Sequence, residues 1–422
     1  MKKTLIYTVI PTILLALNIV LGGLLVEAKE FDLTFLIALC LVFGVTVVYR
    51  NKFSRPLIVI ARTLVGMLFI FSGFVKGVDP LGTQYQMQDY FMAYGTTWAN
   101  PFALPLAVIM IAAEFVVGAA LILNIRIPLA SWGAVLLMIF FTITTFFDAI
   151  YNLVPDCGCF GEAVKLSNWQ TFYKNIVIDT FLAILFFGRY RIRNTFSLKN
   201  EVIIIASVAI LFVGFEIGTL RHLPVIDFLD WKVGVKLNPP KTEPITYSFE
   251  YKNKTTQEVQ TFDSKSLPAD VTTNWEFVNS IINDPNPKNL MIPIFDQSGG
   301  EGQEITDMVA GNPDYSFIVA MYDIKKARKR NMPKIFALQD LARQKGFEFV
   351  FLFDLNATTE QIDQFKQKVG REDLDMYYSD DKSIKAIVRS NPGLILLKDG
   401  VVVDKWAWRD VPTVETVQEI IK

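Results

Sequence analysis

The chain divides by its pattern of apolar and polar positions. Up to about residue 220 apolar residues come in long unbroken runs; beyond it they alternate with polar ones. A membrane helix needs about 20 mostly apolar residues. Runs of that kind predict seven spans, near residues 4–26, 33–50, 57–75, 102–124, 128–151, 169–187 and 201–220. The first begins MKK, but its apolar run is too long for a secretory signal and no clear small-residue cleavage site precedes the acidic EAKEFD, so it is read as a membrane helix. Between the third and fourth spans, residues 84–94 (QYQMQDYFMAY) predict a short amphipathic helix lying at the interface and anchored by its rings.

The second half reads differently. Pro239-Pro240 marks a linker. Residues 240–275 carry short alternating runs such as 245–251 (ITYSFEY), which predict hairpin strands. From about 290 strands and helices alternate: a strand at 316–322, an amphipathic helix at 328–344, a strand at 347–353 and a helix at 360–369. A hairpin follows at 393–403 around Asp399-Gly400, then a last helix from Val414. The expected fold class is therefore multi-domain, an α-helical membrane bundle joined to an α/β domain. The expected boundaries are 1–56 for two leading spans, 57–188 for a four-helix core, 189–239 for the seventh span and linker, and 240–422 for the outer domain.

Charge adds direction. The basic stretches MKK, 49–55, 124–126 and 189–193 fall on one side of the seven-span arrangement, while EAKEFD and the loops 76–101 and 152–168 fall on the other. By the positive-inside rule the N-terminus is cytoplasmic and residues beyond 220 lie outside the inner membrane of a bacterium, in the periplasm where there is an outer membrane. The net charge of -1 argues against nucleic acid as a partner; the expected partners are the lipid bilayer and a periplasmic protein. Three cysteines and one histidine cannot build a disulfide scaffold or a four-ligand zinc site, and His222 reads as a solvated interfacial residue.

Ionisable groups inside spans are costly and face the bundle interior. Arg62, Glu114 and Asp179 lie roughly 10, 15 and 12 Å from the cytoplasmic end of their spans at the helical rise. A buried network of the three is geometrically allowed, either as a proton or quinone-headgroup site or as an ion cluster fixing helix register. A second charged group, Lys76, Asp79, Asp148 and Asp156, is expected near the outer face.

Asp156 leads into the most chemically specific feature, Cys157-Gly158-Cys159-Phe160-Gly161. The glycines permit a tight turn, and a ring closed by cysteines this near would be strained and oxidising. A cation such as Lys76 beside it would make a thiol more reactive, and the acidic neighbours would do the reverse. The pair can serve as a redox centre, as a soft-metal ligand pair for copper(I), or as an inert turn. Cys40 reads as a small buried apolar residue.

The run 61–80, from Ala61-Arg62-Thr63 through Phe71-Ser72-Gly73 to Asp79-Pro80, resembles the first helix of DoxX-type four-helix membrane proteins, and residues 156–161 are similar to the cysteine motif of the related methylamine-utilisation MauE-type proteins. The likeness covers about residues 57–188. It implies membrane-bound redox work, quinone-linked in some members and disulfide handling in others, with Cys157 and Cys159 as the catalytic pair and quinone as the carrier to consider. The leading spans, the seventh span and the tail are additions to that core.

The tail resembles thioredoxin-like proteins from about residue 290. Pro333 matches the helix proline of that family, Ser390-Asn391-Pro392 its cis-proline segment, and the two positions that carry cysteines there fall on Lys325 and Arg328. A thioredoxin-like domain without sulfur cannot exchange thiols. The resemblance instead implies a peptide-binding groove beside Pro392, next to the basic run 325–330, which reads as a solvated basic face or a site for an anionic partner or lipid surface. Three functions remain: a membrane thiol–disulfide or quinone-linked oxidoreductase, a non-enzymatic envelope assembly factor that holds a client, and a small-solute transporter. The last ranks lowest because the spans show no inverted repeat.

Overall fold

A computed structural model describes residues 10–24, 30–154, 158–193, 195–268, 270–296 and 303–422. The chain forms two compact units, 1–228 and 229–422.

The first unit is helical: α1 (Ile10–Leu24), α2 (Leu33–Val48), α3 (Arg55–Val78), α4 (Pro80–Ala93), α5 (Ala103–Ile122), α6 (Ile127–Tyr151), α7 (Asn168–Gly188) and α8 (Leu198–Arg221). Helices thus occupy all seven expected positions, and α4 falls on the expected amphipathic segment. Among the described residues five stretches are long and apolar enough to cross a membrane: Arg55–Val78, Thr97–Ile122, Ile127–Tyr151, Asn168–Arg191 and Leu198–Arg221. α2 has 16 residues, a length of about 24 Å against a hydrocarbon core of about 30 Å.

Small residues set the centre of the bundle. A Cβ at Gly73 would lie 2.9 Å from the backbone nitrogen of Phe115, and one at Gly118 2.7 Å from that of Ile70. The backbones of α3 and α5 can approach this closely only because both positions are glycine. α7 is the most buried span, started by a capping box between Ser167 and Gln170 and carrying Tyr173, Leu182 and Leu185 into the core. α6 and α8 instead turn Leu136, Ile139, Ile210 and Leu211 outward, each more than half exposed. An apolar belt of that kind marks a surface made for lipid. Cys40 belongs to such a surface: it is exposed on α2 rather than buried, because α2 packs through Leu39 and Val42 on its other side.

The second unit holds two sheets. Strands β1 (Thr246–Asn253), β2 (Val259–Asp263) and β3 (Trp275–Asn283) form a small antiparallel sheet ordered β2-β1-β3. The larger sheet is ordered β10-β9-β6-β7-β8-β4-β5, from β4 (Phe295–Asp296), β5 (Gln303–Glu304), β6 (Tyr315–Met321), β7 (Glu348–Asp354), β8 (Met376–Ser379), β9 (Gly393–Lys398) and β10 (Val401–Ala407). β6, β7 and β8 run parallel, and β9 is antiparallel to β6. Every residue of β6 is buried, as a strand covered on both faces requires. The β9–β10 turn needs two residues with positive φ, and Asp399 (+48°) and Gly400 (+67°) supply them.

The helices of this unit are α9 (Val271–Asn274), α10 (Thr306–Ala310), α11 (Met332–Lys345), α12 (Thr359–Val369), α13 (Asp381–Ile387) and α14 (Val414–Ile420). α11 begins at Met332 rather than 328. Pro333 occupies its first turn, where a missing N–H is harmless, and the Asn331 amide donates to the Trp408 carbonyl (2.8 Å). Residues 229–239, expected as linker, are part of the fold: Trp231 is fully buried with its indole N–H donating to the Leu290 carbonyl (2.7 Å), and Lys236 bridges to Val401.

Candidate functional site

The close approach of α3 to α5 brings Lys76 within 2.8 Å of Glu114, both almost wholly buried. The Lys76 ammonium also lies 4.9 Å from the centre of the Phe141 ring on α6. Burying two charges is tolerated only when they are paired, and here each neutralises the other. The expected Arg62–Glu114–Asp179 cluster is replaced by separate arrangements. Glu114 takes Lys76, Asp179 accepts from the Thr142 hydroxyl (2.8 Å), and the buried Arg62 Nε has no hydrogen-bond partner among the described residues. Similar depth in the membrane could not reveal which neighbours each side chain meets.

Cys159 lies at the same level as Lys76. The Ser72 hydroxyl on α3 donates to the Cys159 carbonyl (2.8 Å), fixing the loop to the helix. Lys174 lies over the Phe160 ring (4.9 Å) and donates to Asn175, whose amide reaches the Thr145 hydroxyl (3.0 Å). Gly158 has φ +53°, and a Cβ there would fall 2.3 Å from Oε1 of Gln86 on α4. Only glycine meets both demands. Cys157 and Asp156 lie outside the described residues, so the pair itself and the acidic residue before it are not placed.

Cys159 and Lys76 together line a partly open cavity of about 760 Å³ between α4, α5 and α6. Its walls are chiefly apolar, with Met87 and Phe91 from α4, Ile109 and Met110 from α5, and Leu137 and Phe140 from α6. Polar groups enter it as Thr83, Gln86, Tyr90, Thr144 and Thr145. Behind Tyr90 the wholly buried Asp148 accepts its hydroxyl (2.5 Å) through Oδ2, while Oδ1 accepts no hydrogen bond from the described residues. On the far side of Cys159 is a second space of about 20 Å³, bordered by Ser72, Lys76, Glu114 and Asn175, enough for about one water. The Asp79 carboxylate caps α4 by accepting from the Gly82 N–H (3.1 Å). Just beyond α4, burial and the nearby Asp148 carboxylate hold the Tyr94 phenol above its ordinary range. Among the described residues no group of three or more His, Cys, Asp and Glu is arranged to hold a metal ion. Tyr90 and Gln86 carry no chemical signature in the sequence beyond their place in an aromatic, amphipathic segment that reads as an interfacial anchor.

In the second unit the segments 325–330 and 390–392 meet through Arg328 and Asn391. The Arg328 N–H donates to the Asn391 carbonyl (3.0 Å), and the Asn391 amide donates to the Asp323 carbonyl (2.7 Å). The Asn391–Pro392 peptide bond is cis. Arg328 and Arg409 both lie over the Trp408 ring, at 5.9 and 4.4 Å. Lys325 is exposed in the same loop, and Lys326 pairs with Asp323. Trp408 and Arg409 were not singled out by the sequence pattern; they enter the loop cluster from the chain just after β10.

The helical unit thus has the features of a membrane-embedded bundle that holds a buried ion pair and a cysteine at the edge of an apolar cavity. Residues 54–189 match the family model described as methylamine utilisation protein MauE, which covers α3 to α7 and the loop carrying Cys159. No curated protein and no solved structure matches the chain.

Proposed function

We propose that the chain is a membrane-bound thiol–disulfide redox protein of the bacterial cell envelope, with Cys157 and Cys159 as the exchanging pair and the second unit as a docking module for a protein partner. The observation that carries this reading is that Cys159 borders an apolar cavity beside a buried lysine–glutamate pair. The similarity of 54–189 to MauE adds support. In this reading all seven helices span or enter the inner membrane, the N-terminus is cytoplasmic, and the second unit is periplasmic, where a disulfide can persist.

The second unit is read as a thioredoxin-like domain on its parallel β6–β7–β8 core, antiparallel β9–β10 hairpin and cis Asn391–Pro392. Lacking cysteine, it contributes binding rather than exchange. Lys325 and Arg328, with Trp408 beside Pro392, favour an extended client segment with acidic and apolar character. That cluster also favours a second reading, a non-enzymatic assembly factor that only holds its client.

Trapping thiols in native membranes with a mass-adding alkylating reagent separates the two. The redox reading expects Cys157 and Cys159 to gain or lose both tags together as the membrane is reduced or oxidised. A pair that never changes state, together with an intact envelope phenotype in Cys157→Ser/Cys159→Ser, leaves only the client-holding reading.

A further inference from the structure

We propose that the small sheet β1–β2–β3 is a homodimer contact, its aromatic face packed against the same face of a second copy of this chain. Ring contacts define the face. Phe249 and Tyr251 of β1 touch Phe277 of β3, Tyr251 touches Phe262 of β2, and Phe262 touches Trp275 of β3, with centroids 5.0–6.4 Å apart. Tyr247, two positions before Phe249 and so on the same side, lies opposite Ile282. The charged residues fall on the other face. Lys252 lies opposite Glu276, Asp263 opposite Ser248, and Glu250 stands between Phe249 and Tyr251.

An antiparallel sheet with this alternation ordinarily packs its apolar face on a core, and a sheet of three strands depends on that burial for its stability. Here no residue of the three strands is buried. Tyr247, Phe277 and Ile282 are 45%, 55% and 63% exposed. The face is therefore complete in pattern and uncovered by the described residues of its own chain.

Three features select a second copy as the cover. Identical faces bring identical charges together, so a charged face would repel itself; this one carries none. A twofold contact covers both copies' faces at once, which a different partner would not. The sheet and its turns hold more acidic than basic residues, which disfavours an anionic lipid surface. Size sets the strength. Strands about 4.8 Å apart, with about 3.4 Å per residue, give a flat footprint of roughly 400 Å² on each copy. Protruding rings enlarge it toward the roughly 1,000 Å² in total that a specific interface needs. Such a contact is weak between free domains. The membrane bundle strengthens it by holding copies in one plane with one orientation, which raises their effective concentration.

The test uses the full-length chain in native membranes, with the photoreactive p-benzoylphenylalanine in place of Phe277. Irradiation is expected to give an adduct of two chains, joined within residues 246–283 by mass spectrometry. The same probe in place of Thr261, on the charged face, is expected to give none. With the probe in place of Tyr247, Phe277→Lys combined with Ile282→Lys should cut the two-chain adduct at least about tenfold, because like charges then meet across the contact. Glu276→Lys, on the charged face, should leave it unchanged. The proposal is overturned if the probe at 277 reacts with lipid or another protein, or with nothing. It is overturned equally if Thr261 gives as much two-chain adduct, or if the two lysines leave the adduct undiminished.

Discussion

The helical unit buries a lysine and a glutamate together at 2.8 Å, whereas the second unit packs Phe317, Phe351 and Phe353 at the centre of its sheet and leaves the run 325–330 largely at the surface. A buried ion pair is rarely the most stable filling for its volume; apolar side chains of the same size often do as well or better. Lys76 and Glu114 are therefore best explained by the cavity and cysteine beside them. In the second unit the loop 325–330 contributes little to the core. A domain built this way can change that loop and keep its fold.

The largest expected effect tests that contrast directly. Glu114→Ala leaves Lys76 buried without its carboxylate and should destabilise the helical unit by about 3–5 kcal/mol. The measurement is the thermal unfolding midpoint in detergent. Lys76→Met combined with Glu114→Met should recover most of the loss, because the pair then becomes apolar filling. The matched change in the second unit, Lys325→Glu with Arg328→Glu, should shift stability by no more than about 0.5 kcal/mol. A Glu114→Ala protein that melts with the parent would end the comparison.

A smaller effect is expected at the cysteine loop. Gly158→Ala introduces both a side chain at φ +53° and a clash with the Gln86 amide. The left-handed conformation alone costs roughly 1–2 kcal/mol, and the clash adds to it. Gln86→Ala in the same chain should relieve the clash and leave the conformational part. If the double variant were no more stable than Gly158→Ala, the loop would not rest on α4 as described.

How much of this was legible beforehand follows from the kind of signal each element carries. Apolar runs located the five described helices that are long and apolar enough to cross a membrane, because the bilayer demands length and composition that no other element shares. The sheet core from β6 to α14 was legible where strands were long and apolar. β8 and α13 were missed: MYYS is four residues long and DKSIKAI less than two turns, too short for a period to emerge. Trp231 was hidden inside a stretch that read as linker. At the site, Cys159 and Lys76 were placed near each other from the ends of their spans. The partner of Glu114 was not, since depth along a helix says nothing of which face a residue occupies. Tyr90 and Gln86 were invisible as site residues because a cavity is made by packing between helices, and no single segment encodes it.

The smallest expected effect concerns a carboxylate that, unlike Glu114, is desolvated with no ion-pair partner described. Asp404 sits at the irregularity in the β9–β10 pairing, where Oδ1 accepts the Lys405 N–H (2.8 Å). Burial raises its pKa, and that hydrogen bond offsets the rise only in part. The folded state therefore binds the proton more tightly than the unfolded state. Stability from this residue falls as pH rises from the unfolded value through the folded one, and the penalty is complete once the pH is above the folded value. Asp404→Asn keeps an oxygen for the Lys405 N–H and removes the charge. It should raise the unfolding midpoint of the second unit slightly at about pH 7, by on the order of 0.5 kcal/mol. The gain should shrink toward zero as the pH is lowered below about 4, where the parent carboxyl is protonated in both states. A gain independent of pH would mean that side-chain shape rather than charge governs the position. A loss at neutral pH would mean that the carboxylate is paired there after all, which would make the second unit resemble the first in how it holds charge.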